Sequence, residues 1–125
     1  MKCVNAALWL AAGLWTSLPV AAKDIVVAQT LDLSGLSNLG KDFSNGIRTY
    51  FDAVNARGGV RGRRIQFVQL DDSGRAADAA ANVDRLLLEN EVDALIAPTS
   101  EETLLAAANA PRVRASGINL LGAPT

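Results

Sequence analysis

From its amino end the chain sets short, continuous apolar runs against longer stretches in which apolar residues return every third or fourth position. Ile25-Val26-Val27-Ala28 is an apolar, largely β-branched run, the pattern of a strand buried on both faces of a parallel sheet. A Gly/Ser-rich loop, Leu33 to Gly40, follows it. Phe43, Ile47, Tyr50 or Phe51, and Val54 then keep helical spacing up to Gly58-Gly59, which suit a left-handed helix stop. Gly62 marks a second turn, with the glycines 58, 59 and 62 expected to supply positive φ angles. Arg64 to Leu70, carrying Ile65, Phe67, Val68 and Leu70, predicts a second strand.

Asp71-Asp72-Ser73-Gly74 ends that strand, and Ala77, Ala80, Val83, Leu86 or Leu87, and Asn90 place a second helix over Ala76 to Asn90. Ala94-Leu95-Ile96-Ala97 predicts a third strand and Pro98-Thr99-Ser100 a turn. A third helix follows over Glu101 to Ala115, capped by Ser100 or Thr99 and kinked or interrupted by Pro111. Ile118-Asn119-Leu120-Leu121 resembles a fourth strand, followed by Gly122 to Thr125. Strands alternating with helices at these intervals predict an α/β fold, a doubly wound parallel sheet built from right-handed βαβ units. In open sheets of this kind ligands bind at the carboxyl edge of the strands. The loops Leu33 to Gly40, Asp71 to Gly74, Pro98 to Glu102 and Gly122 to Thr125 therefore share one rim.

The first 22 residues differ from this pattern. Met1 and Lys2 give a positive end, Ala6 to Val20 an apolar run, and Val20-Ala21-Ala22 the small residues of a cleavage site, so residues 1–22 read as a secretory signal. The apolar run is shorter than a membrane span and contains Pro19. Both tryptophans and the only cysteine, Cys3, fall in this segment, so residues 23–125 must hold their fold by packing without a disulfide.

Half of the 125 residues are apolar, enough for a globular core. From Lys23 onward 11 of the 12 Lys and Arg face all 13 Asp and Glu, a net charge of about minus 2. That balance does not ask for nucleic acid as a partner. With no histidine, no Gly-x-Ser-x-Gly elbow and Cys3 in the signal, the sequence offers neither a nucleophile constellation nor a metal-ligand set, and no cofactor is expected. Asp71 and Asp72 stand where a dinucleotide enzyme keeps its ribose-binding acid, but the first loop lacks G-x-G-x-x-G. Their simpler role is to cap the second helix and to hydrogen-bond the adjacent turn. Arg57, Arg61, Arg63 and Arg64 have no aromatic interleaving and read as a solvated turn.

Leu33-Ser34-Gly35, Leu39-Gly40, Asn45-Gly46, the run Asn55-Ala56-Arg57-Gly58-Gly59-Val60-Arg61-Gly62 and the pair Asp71-Asp72 occur in an order that resembles the leucine/isoleucine/valine-binding family of type I periplasmic binding proteins. The resemblance covers Asp24 to Thr125 and makes residues 23–125 the amino-terminal part of one lobe of a two-lobed protein. It implies two α/β lobes closing on an amino acid or a similar small solute and handing it to the permease of an ABC importer in the periplasm, without catalysis. It further implies that the lobe grips a ligand carboxylate through hydroxyls and backbone N–H groups at helix starts, a geometry the helix dipole favours. Ser100 matches the serine in that role, with Thr99 and Pro98 lining the same turn. Leu39 matches a loop position over the ligand side chain, and Thr125, or Pro124, approximates a second hydroxyl and backbone cluster. Glu101 and Glu102 depart from the small residues common in the family. A sensor module of the same fold and an exported α/β enzyme are the competing readings. A membrane span or signalling domain beyond Thr125 would mark the first, and a catalytic group there the second.

Overall fold

The computed structural model describes residues 22–122. The expected signal segment, apart from Ala22, and Thr125 lie outside the described residues. Four strands, β1 (Ile25–Leu31), β2 (Ile65–Asp71), β3 (Ala94–Ile96) and β4 (Asn119–Leu121), form one sheet in the order β2-β1-β3-β4, with every pair parallel. Between them run α1 (Leu39–Ala56), α2 (Ala76–Glu89), α3 (Glu101–Asn109) and α4 (Pro111–Ser116). The chain steps from β1 to β2 on one side and then returns to β3 on the other. The topological switch therefore falls between β1 and β3.

Alternation along the strands assigns the helices to faces. Ser44 and Asn55 of α1 bond to Gln69 and Ile65, and Phe51 meets Phe67 edge to face at 5.4 Å, so α1 covers the odd-numbered side of β2. Val68 and Leu70 point the other way, into the core formed with Ala28, Val83, Leu86, Leu95, Ala107, Ala110 and Val113, where α2, α3 and α4 pack. Among the described residues, the largest exposed apolar side chains near α1 and the free edge include Phe43, Tyr50 and Leu121. No helix among them is long and apolar enough to cross a membrane.

The first strand outruns its apolar run by three residues. Gln29 and Thr30 are polar yet fully buried, and Leu31 closes the strand against Gly40. The Leu33–Gly40 loop is shorter than expected, because the Asn38 carbonyl already accepts the Asp42 N–H and α1 begins at Leu39. Gly58, Gly59 and Gly62 have positive φ as expected. At Gly59 a side chain would also collide with the Arg63 carbonyl, where Val60 and Arg63 close the turn. Arg63 is not simply solvated, since its guanidinium donates to the carbonyls of Lys23 (2.6 Å) and Asp24 (3.3 Å).

The expected third helix is divided. Ala110, with φ −56° and ψ 138°, leaves the helical region because the ring of the following proline disfavours it there, and Pro111 starts α4 at the position where its missing N–H matters least.

Candidate functional site

The carboxyl ends of β1, β2 and β3 bring three segments to one rim: residues 32–38 with the start of α1, the turn 72–75, and Pro98-Thr99-Ser100 before α3. Because β1 pairs with β3, the first and third of these flank the topological switch. Pro98 is buried, whereas Thr99 and Ser100 are exposed. Ser100 is the N-cap of α3, as its position predicted: its Oγ accepts the Thr103 N–H at 3.2 Å and lies 2.6 Å from Thr103 Oγ1. Thr103 Oγ1 in turn donates to the Ser100 carbonyl at 3.1 Å. Glu101 and Glu102 occupy the exposed first turn, where negative charge complements the helix dipole.

Leu39 lies not in a loop but at the first position of α1, 61% exposed. It remains at the rim because α1 starts there. Leu36, in the preceding loop, is fully exposed and was not singled out from the sequence. An isolated leucine among Ser34, Gly35, Ser37 and Asn38 was the available signal. The structure thus brings Pro98, Thr99, Ser100 and Leu39 to the strand ends that form the rim.

The aspartates do not cap α2, whose N-cap is Arg75 without a side-chain cap bond. They do hydrogen-bond the adjacent turn as expected, and they also bind the rim loops together. Asp71 Oδ1 accepts from the N–H groups of Leu33 (3.0 Å) and Ser73 (2.8 Å). Asp72 Oδ1 accepts from Gly74 N–H at 2.9 Å, and its Oδ2 takes the Thr30 hydroxyl at 2.9 Å, with Asn82 of α2 donating to Thr30 at 3.1 Å. This network holds the β1 loop to the β2 turn and both to α2.

The two carboxyls titrate in opposite directions. Some loss of hydration works against the Asp71 charge, but the Leu33 and Ser73 N–H groups and Ser34 outweigh it and hold this carboxyl below its usual value near 3.8. Burial pushes Asp72 above that value despite the bonds from Gly74 and Thr30, and the charges of Asp32 and Asp71 push the same way. Asp71 therefore adds stability above pH 3.8 that is lost as pH falls through its depressed folded value. Asp72 favours the fold below pH 3.8, and that contribution is lost as pH rises through its raised value. In urea titrations on either side of pH 3.8, Asp71→Asn is expected to lose less stability on acidification than the unmodified chain; an equal loss would remove Asp71 as the acid-sensitive group.

A cleft of about 800 Å³ opens at the other end of the sheet, where Glu89 to Asp93 precede β3 and Gly117 to Asn119 lead into β4. It is remote from the rim. Since α/β sheets of this topology present ligands with loops at the carboxyl ends, the rim is the candidate site.

A family model described as periplasmic binding protein matches residues 24–125. Among solved structures, a substrate-binding periplasmic protein from Ralstonia solanacearum superposes with a TM-score of 0.74 at 29% identity, over 79% of this chain and 28% of that one. The branched-chain amino acid transporter substrate binding protein LivJ from Streptococcus pneumoniae, in complex with isoleucine, gives 0.71 at 26% identity, over 78% and 28%. A possible leucine/isoleucine/valine-binding protein from Rhodopirellula baltica gives 0.71 at 27%, over 82% and 27%. The chain thus corresponds to little more than a quarter of the length of each of these structures. No curated protein matches it.

Proposed function

Because the chain belongs to the periplasmic binding protein family, we propose that it supplies one face of a cleft that binds a small solute carrying a carboxylate, with branched-chain amino acids the first candidates. The observation that carries this reading is the exposed Ser100 hydroxyl at the start of α3, on the rim beside the topological switch. A carboxylate there would meet a hydroxyl and the positive end of a helix. The isoleucine bound in the structure of the Streptococcus pneumoniae protein supports the choice of ligand class.

On this reading residues 1–22 are a signal that directs the chain to the periplasm. The amino-terminal lobe that begins at Lys23 closes by a hinge against a second lobe, and the closed form hands its solute to an ABC permease. Leu36, Leu39 and Thr99 line the ligand side of the rim, with Thr125 a further hydroxyl donor. No chemical conversion is involved.

The test is calorimetric titration of the gene product that carries this lobe with leucine, isoleucine and valine. Saturable binding is expected, weakened about tenfold or more by Ser100→Ala, because a hydrogen bond to a charged group is worth roughly 1.5–3 kcal/mol. Loss of the cap should lower stability by only about 1 kcal/mol. Absence of heat with all three amino acids would overturn the ligand assignment, and unchanged affinity in the variant would remove Ser100 from the site.

A further inference from the structure

A chain of side-chain hydrogen bonds crosses the α1 face of the sheet and ends beneath the turn that carries Ser100. The Ser44 hydroxyl (2.7 Å) and the Arg48 guanidinium (2.6 Å) both donate to Gln69 Oε1. Gln69 Nε2 donates to Gln29 Oε1 at 2.9 Å, and Gln29 Nε2 donates to the Ala97 carbonyl at 3.0 Å.

The direction of this chain is fixed at both ends. Arg48 has donors and no acceptor, so the Gln69 atom it touches must be the oxygen. Ala97 presents a carbonyl, which cannot donate, so the Gln29 atom facing it must be the nitrogen. Reversing either carboxamide would set oxygen against oxygen at one contact and nitrogen against nitrogen at another. Gln29 is fully buried and Ala97 is 3% exposed, so water does not replace a missing partner. Ala97 immediately precedes Pro98, which has no N–H of its own to anchor the turn.

We propose that Gln29 is a positioning residue for the turn Pro98–Ser100: its carboxamide, oriented from across β2 by Ser44 and Arg48, ties the Ala97 carbonyl to β1 and thereby sets where the Ser100 hydroxyl stands. Its consequence for affinity rests on the reading that this turn receives the ligand. Its consequence for the turn itself does not.

Amide hydrogen exchange on the ¹⁵N-labelled chain tests the positioning role. Gln29→Glu keeps an acceptor for Gln69 but faces the Ala97 carbonyl with oxygen. Exchange should accelerate about fivefold, the equivalent of one hydrogen bond of about 1 kcal/mol, at Ala97, Thr103 and Leu104, whose N–H groups bond to Leu121, Ser100 Oγ and the Ser100 carbonyl. Val83 and Leu86, in α2, should keep their protection.

The double variant S44A/R48M removes the donors that orient Gln69 while leaving Gln29 in place. It should shift the Gln29 carboxamide signals and loosen the same three amides, whereas Arg48→Lys, which retains a donor, should restore them. If Gln29→Glu does not fold, the double variant decides alone. Uniform acceleration that includes Val83 and Leu86, or no change at Ala97, Thr103 and Leu104, would overturn the proposal. L-leucine titration separates the two readings: a weakening of about fivefold in a folded Gln29→Glu variant, again one hydrogen bond's worth, supports both. Absence of leucine binding by the unmodified protein overturns the ligand assignment, and the exchange pattern then decides the positioning role.

Discussion

Leu95→Ala is expected to lower the stability of the chain by about 3 kcal/mol, read as a fall in the urea midpoint at unchanged slope. Leu95 is the central residue of β3 and is only 1% exposed, in a cluster with Val83 and Leu86 of α2 and Ala107 and Ala110 at α3. Truncating its side chain therefore opens a space in the core that β3 shares with α2 and α3. The neighbours at α3, Ala107 and Ala110, are already alanines, so they have little side chain to move into the space. A loss below about 1 kcal/mol would mean that the site collapses freely and that β3 is not held as rigidly as its burial indicates.

Gly40→Ala should be the second large effect, with a sign opposite to the ordinary one. In an exposed helical position alanine is better than glycine by up to about 1 kcal/mol. At Gly40 the added Cβ would run into the Asp32 carbonyl and lie 3.6 Å from Leu31. Relieving that collision requires the start of α1 to move away from the end of β1. A destabilisation of about 2 kcal/mol is expected, of the size found when a packed contact is overfilled. Gly46→Ala, in the same helix with no atom within 4 Å of the new Cβ, is the control and should stabilise slightly. If both variants stabilise, the approach of α1 to β1 is looser than described. If only Gly40→Ala destabilises, the rim position of Leu36 and Leu39 depends on that close contact.

The alternation of apolar runs with helical stripes was enough to place all four strands and the helices between them, since each strand carries a short apolar run and each helix an apolar stripe at its own period. It failed at boundaries where polar residues are buried. Hydrophobicity ended the first strand at Ala28, yet Gln29 and Thr30 continue it because their side chains are satisfied by Gln69, Ala97 and Asp72. Those partners lie some 40 or more residues away, so no local pattern records them. The same reason explains the misassigned caps: Asp71 and Asp72 make the expected bonds to the adjacent turn through Ser73 and Gly74, but the distant Leu33 N–H and Thr30 hydroxyl, and not the start of α2, take their remaining capacity. Pro111 was legible because its effect on Ala110 is steric and local. Ser100 was legible as a cap because the cap bond is local, whereas the exposure of Leu36 was hidden by a loop composition that suggests only a turn.

The cap of α3 also sets the state of one hydrogen atom. Thr103 directs its own hydroxyl hydrogen to the Ser100 carbonyl, which leaves its oxygen free to receive. The hydrogen between the two hydroxyls, 2.6 Å apart, is therefore the one on Ser100. That hydrogen is already engaged, so a carboxylate received there, as proposed above, would not find an idle donor. Such a carboxylate would draw the hydrogen from a neutral acceptor to a charged one by a turn about the Cβ–Oγ bond, while the Thr103 N–H keeps the oxygen in place. On the proposed reading the gain on binding would be the difference between those two bonds, which would favour anions with dense charge on one oxygen over neutral carbonyls at that position.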